Sequence, residues 1–164
     1  MSQYHISNKT LTLKVKKAPL AIRCAMFLFA FACFVLPLSG VVMSIYEGQG
    51  FHFGFLIGLF LFGLLGFYLL RLSLWNTYGQ ETIKFETGSI DYEANYGWFK
   101  DGKKQIGYNN LVFYVNKIGY DEDKTGSITI DNREDYIVSV VKMPVSKVEN
   151  LITELELLLN NHDN

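Results

Sequence analysis

The stretch Asp121-Glu122-Asp123-Lys124-Thr125-Gly126 comes nearest in this sequence to the spacing of a metal site. Acidic residues at its first and third positions, glycine at the sixth and Ile128 at the eighth match the first half of a calcium loop, which wraps the cation in oxygen ligands. The twelfth position should close the shell with a bidentate glutamate, and here it is Asn132. The flanks also read as strands where such a loop needs paired helices, and a solvated hairpin loop accounts for the same residues. A second cluster, Lys100, Lys103 and Lys104 around Asp101-Gly102 and next to Trp98 and Phe99, has the composition of a membrane-surface contact. There the rings would enter the headgroup layer and the ammonium groups would pair with phosphates. A solvated hairpin whose aromatics pack in the sheet is the simpler account, since lysine is common at exposed turns and edges. Asp91 and Glu93 form an i, i+2 carboxylate pair on one strand face, which is more simply the solvent face opposite Ile90 and Tyr92.

Nothing else converges. His5, His52 and His162 are scattered over the chain, and Cys24 and Cys33 lie nine residues apart within one helical stretch, too far for a disulfide. No GxSxG, HExxH, Walker A or CxxC pattern occurs. The expectation is a non-enzymatic protein with no catalytic, metal or cofactor residues.

The elements that would position these residues begin with two apolar stretches, Leu20–Ile45 and Phe51–Leu74. Each exceeds the roughly 20 residues that a helix needs to cross a bilayer. Only Tyr46-Glu47-Gly48-Gln49-Gly50 separates them, so residues 18–75 read as an antiparallel transmembrane hairpin. Ala30-Phe31-Ala32 mimics a signal-peptide cleavage site, but the apolar run continues well past it. No Asp, Glu or Lys lies within either span, which suits an anchor and not an ion pathway. Gly54, Gly58, Gly63 and Gly66 are expected to pack against small residues of the first helix. The GxxxG pair Gly54/Gly58 could alternatively serve a homodimer.

Charge is unevenly divided. Residues 1–75 carry Lys9, Lys14, Lys16, Lys17, Arg23 and Arg71 against Glu47, whereas the remainder holds nine basic and fifteen acidic residues. An acidic soluble part is a poor partner for nucleic acid, whose affinity rests on phosphate neutralisation. The basic residues flank the hairpin's entry and exit and are missing from its turn. The positive-inside rule therefore predicts both termini in the cytoplasm, with Arg23, Arg71, Trp75 and Tyr78 as interfacial anchors.

Residues 1–17 form an N-terminal arm in which Thr10–Lys16 alternates in strict period two, the signal of a half-buried strand. It could add to the edge of a sheet or lie as a basic tail on anionic headgroups. Residues 79–164 read as about six short, antiparallel strands. Asp101-Gly102 is expected to turn a tight hairpin, Leu111–Asn116 to run centrally and Tyr136–Met143 to form one strand. Ser146 and Glu149 form a capping box opening an amphipathic helix at about 146–160. The fold class expected is an α+β membrane protein: a helical hairpin plus an antiparallel domain closed by a C-terminal helix.

That order of parts, with Arg71-Leu72-Ser73-Leu74-Trp75-Asn76-Thr77-Tyr78-Gly79-Gln80-Glu81 at the junction, resembles small bacterial two-helix membrane proteins with a pleckstrin-homology-like (PH-like) domain. The resemblance implies a protein of the bacterial inner membrane that holds a PH-like binding domain at the cytoplasmic face. Lipid-binding eukaryotic members carry a basic cluster in the loop joining their first two strands. Here that loop is Thr87-Gly88-Ser89, so phosphoinositide binding is not implied. The expected function is tethered binding of a protein partner, with an exposed sheet edge as the recognition surface. On that view, deleting residues 1–16 weakens capture without unfolding the domain. An immunity protein that neutralises an envelope-targeting toxin is the alternative.

Overall fold

The computed structural model describes residues 2–119, 122 and 124–160, the side chain of Asn160 excepted. The chain is α+β and divides into two compact units, Lys17–Tyr78 and Met1–Lys16 with Gly79–Asn164.

The first unit is two helices, α1 (Leu20–Tyr46) and α2 (Phe53–Tyr78), both long and apolar enough to cross a membrane. Their outer surfaces are apolar all round: Leu28, Phe53 and Phe60 are each about two-thirds exposed or more. The reversal is tight because Gly48 and Gly50 take positive φ (74° and 77°) and Ser44 Oγ donates to Gly50 O at 3.2 Å. The second helix outruns its apolar stretch and carries Trp75 and Tyr78 within it. Polar side chains there bond back to carbonyls one turn earlier, Ser73 Oγ to Leu69 O at 2.6 Å and Thr77 Oγ1 to Ser73 O at 2.8 Å.

The second unit is built from two antiparallel sheets. β1 (Tyr4–Ser7) and β2 (Thr10–Lys14) form a hairpin through Asn8-Lys9, both left-handed at φ 47° and 58°. Such two-residue turns have the twist that strands require. β2 pairs with β3 (Gln80–Glu86), Thr10 opposite Lys84 and Lys14 opposite Gln80, and Val15 N–H extends the ladder to Gly79 O at 3.0 Å. The helical hairpin is thus an insertion between two neighbouring strands. β4 (Ser89–Asn95) and β5 (Lys100–Gly107) complete a sheet ordered β1-β2-β3-β4-β5. In the other sheet β7 (Thr125–Asp131) is central, between β6 (Val112–Lys117) on one side and β8 (Tyr136–Val138) and β9 (Met143–Pro144) on the other. The helix α3 (Val145–Asn160) follows and packs on β6, β7 and β9.

The core follows from strand alternation. Leu11 and Leu13 of β2, Ile83 of β3, Ile90 of β4, Ile128 and Ile130 of β7, and Leu151 and Leu155 of α3 are all essentially inaccessible. Phe85 and Phe113 join the two sheets, their ring centroids 6.5 Å apart. Because Leu11 and Leu13 belong to this core, the N-terminal arm is part of the fold. Deleting residues 1–16 would open it, contrary to the expectation from the sequence.

Four further expectations are corrected. Asp101-Gly102 turns no hairpin: it lies within β5 at a register shift opposite Tyr92–Ala94, with Gly102 at φ 66°. The turn is Tyr96-Gly97-Trp98-Phe99, closed by Tyr96 N–H to Phe99 O at 2.9 Å. An Asp-Gly pair signals a positive φ, which a bulge uses as readily as a turn. The run at 111–116 is not central, because among the described residues β6 pairs only with β7, and Val112 and Tyr114 stay half-exposed. Residues 136–143 form two strands, because between them the Val140 and Val141 N–H groups bond to the Glu81 side chain instead of a strand. The third helix starts at Val145, which puts Ser146 inside the first turn and not before it.

Candidate functional site

The lysine and aromatic residues singled out by the sequence do not form one cluster. Trp98 stands at the tip of the β4–β5 turn, 63% exposed. Behind it Tyr96 and Phe99 stack with centroids 4.7 Å apart, and Gly97 N–H donates to Asn95 Oδ1 at 2.8 Å, so the turn is braced by its own side chains. Lys100 and Lys103 both turn to Glu93, at 2.6 and 3.5 Å, and the Lys100 hydrogen bond holds that carboxyl below its usual range. Lys104 goes elsewhere, to Asp135 at 2.7 Å, with its ammonium 4.9 Å from the Tyr136 ring centroid. The lysines are matched with carboxylates, Lys100 and Lys103 staying largely exposed, and the tryptophan is the exposed apolar side chain of the turn.

The sheet edge proposed for recognition is short. The register, with Lys14 N–H on Gln3 O, bonds residues 3, 5 and 7 to β2, so only Tyr4 and Ile6 of β1 turn their backbone groups outward. The Tyr4 carbonyl already accepts the Ser2 hydroxyl at 2.7 Å, and the Tyr4 phenol donates to Glu154 Oε1 on α3 at 2.9 Å. The neighbouring edge, along β3, is filled by the chain's own β2.

In the helical unit Arg23 lies in the first turn of α1, while Arg71, Trp75 and Tyr78 lie in the last turns of α2, with Tyr78 half-exposed. Of the four glycines only Gly66 packs within the hairpin: a Cβ there would come within 2.8 Å of the Phe34 ring. Gly54, Gly58 and Gly63 have open space beside them. Gly54 and Gly58, with Gly40, line an apolar groove of about 500 Å³ walled by Phe29, Phe55 and Phe62.

Asp121 and Asp123 of the acidic loop lie outside the described residues, as does His162. Among the described residues no three His, Cys, Asp or Glu side chains gather to hold a metal. Asn132 has a structural role, its Oδ1 accepting from Glu134 N–H at 3.0 Å and Asp135 N–H at 2.7 Å.

The most chemically unusual residue was missed by the sequence reading. Glu81, the second residue of β3, is fully buried. It accepts from the Tyr92 hydroxyl at 2.8 Å, the Ser139 hydroxyl, Val140 N–H at 2.6 Å and Val141 N–H at 3.4 Å. Burial pushes its carboxyl above the usual range, against the opposing pull of these hydrogen bonds. The Tyr92 phenol is raised too, first by its own burial and then by Glu81. The signal was available: Glu81 is in phase with Ile83 and Phe85, the inward side of an alternating strand.

Comparison of the chain with protein-family models, curated proteins and solved structures finds no match.

Proposed function

We propose that this is a non-enzymatic, membrane-tethered binding or scaffold protein. Its PH-like sheet domain works at the cytoplasmic face of a bacterial inner membrane, with both termini cytoplasmic. One observation carries the reading: β2 and β3 pair with each other on either side of the apolar hairpin. A domain joined to the bilayer through both ends of a helical hairpin is held close to it, which raises its effective concentration toward membrane partners. The basic residues flanking the hairpin support the cytoplasmic side. Two antiparallel sheets followed by one helix are compatible with the PH-like resemblance. The exposed Trp98 tip is the contact surface we favour over the sheet edge, which is two residues long and partly capped.

The open groove at Gly54 and Gly58 favours one further element, self-association through the hairpin, since small residues let helix backbones approach in lipid. An immunity protein acting through the hairpin is the second reading.

Gentle cross-linking in the native membrane, then purification and mass spectrometry, tests the proposal. A stoichiometric protein partner cross-linked through the turn at Trp98 is the expected result. A toxin cross-linked to the helices would replace the proposal with the immunity reading. Recovery of the chain alone or only as its own dimer would overturn it.

A further inference from the structure

The strap between β8 and β9, residues 139–142, has no strand partner for its first N–H groups beyond Ser139, whose own N–H reaches Ile128 O at 2.9 Å. The next two, Val140 and Val141, bond to the carboxyl of Glu81. That carboxyl therefore ties β3 of one sheet to the strap of the other. Its surroundings are electrically neutral. β2 places Leu13 opposite it, and β4 contributes Ala94 and the Tyr92 phenol, with Tyr96 beyond. The strap adds Ser139 and two valines. Neither a lysine, an arginine, a histidine nor a second carboxylate faces it among the described residues. A buried anion without a cation is costly unless it keeps a proton or gains water.

The network can hold that proton. Ser139 Oγ lies 3.5 Å from Val141 O, a second acceptor for its hydrogen. When Glu81 Oε2 carries a proton it donates to Ser139 Oγ, and the serine hydrogen turns to the Val141 carbonyl. The Tyr92 and Val140 bonds to Oε1 stay in place. Both protonation states are thus compatible with the closed strap, and only the protonated one leaves no charge inside.

We propose that Glu81 and the 139–142 strap form a proton-controlled latch between the two sheets, closed when the carboxyl is protonated and opening more often as it ionises, because opening admits the water that a buried carboxylate lacks. The sign follows from linkage. With the closed-state pKa raised above the ordinary value near 4.5, the closed strap binds more protons than the open one. Closure is therefore strongest below that value, weakens as pH rises toward the raised one, and then levels off.

Amide exchange of Val140 and Val141 in the full chain in detergent micelles, read as protection factors from pH 4 to 8, tests this. In the wild type, protection should fall by up to about tenfold per pH unit above pH 4.5 and then level off. In Glu81→Gln it should be flat. Tyr92→Phe removes a donor to the carboxylate while leaving Glu81 in place, and should move the levelling point to higher pH; it keeps the test usable should Glu81→Gln fold poorly. Flat wild-type protection, an unchanged slope in Glu81→Gln, or no displacement in Tyr92→Phe would each overturn the latch.

Discussion

The helical hairpin and the sheet unit distribute polarity in opposite ways. Along α1 and α2 the outward side chains are mostly Leu, Phe, Val and Ile, and polar groups such as Ser73 and Thr77 bond back to their own helix. In the sheet unit the core is apolar and charges such as Lys84, Glu86 and Lys100 lie outside, and among the described residues Glu81 is the charged side chain that is buried. Each unit is arranged for a different solvent. An all-round apolar helix pair suits lipid, where packing depends on close fit, whereas an alternating sheet suits water, where burial itself drives folding. Substitutions of one kind should therefore act differently in the two.

The largest effect is expected where the N-terminal arm meets the sheet. Leu13→Ala should destabilise the sheet unit by about 2–5 kcal/mol, as other buried leucines do, and leave the helices intact. Proteolysis of the full chain in micelles would read this as earlier cleavage within residues 79–164 and unchanged resistance of 17–78. Equal loss in both would erase the distinction between the units.

Next come the glycines. Gly66→Leu drives a side chain into Phe34 and should cost about 1–3 kcal/mol of hairpin packing. Gly58→Leu meets nothing within 4 Å and should leave hairpin stability unchanged while reducing any self-association measured by cross-linking. If Gly58→Leu instead destabilises the isolated hairpin, the groove is closed in the membrane and the dimer reading falls with it.

A smaller effect is expected at the bulge. Gly102→Ala places a side chain at φ 66° and should cost about 1–2 kcal/mol by thermal unfolding, with the β4–β5 pairing retained. The smallest is at Trp98, exposed and at a turn: Trp98→Ala should change stability by less than about 0.5 kcal/mol. It should nonetheless remove the cross-linked partner. Loss of stability without loss of the partner would make the tip a structural element and move recognition elsewhere.

Much of the architecture is legible because it depends on periodicity. Two apolar runs with a five-residue gap leave no choice but a helical hairpin, and the alternation of Thr10–Lys16, Ile83/Phe85 and Ile90/Tyr92 marks real strands. What escaped depends on partners far away in the chain. Asp101-Gly102 announces a positive φ without saying whether the chain reverses there. The apolar run at 111–116 cannot reveal that it lies at a sheet edge, because edge or centre is decided by what pairs with β6 and β7. The break at 139–142 comes from a carboxyl nearly sixty residues earlier. Of the candidate site, the residue types at Trp98 and the lysines were legible, but their separation into an exposed tip and matched ion pairs was not.

The pairing of β2 with β3 also bears on how the protein is made. The β1–β2 hairpin is synthesised before both helices and its partner strand after them, so the sheet cannot close until the helical hairpin is complete. Helices inserted as an antiparallel pair bring the two strands together and remove most of the search that closing so long a loop would otherwise need. Should only one helix insert, β2 and β3 would lie on opposite sides of the bilayer, and the core around Leu11, Leu13 and Ile83 could not form. On the membrane-tethered function proposed above, folding of the sheet unit would thus depend on both helices inserting, and a chain with one helix inserted would be left open to proteolysis.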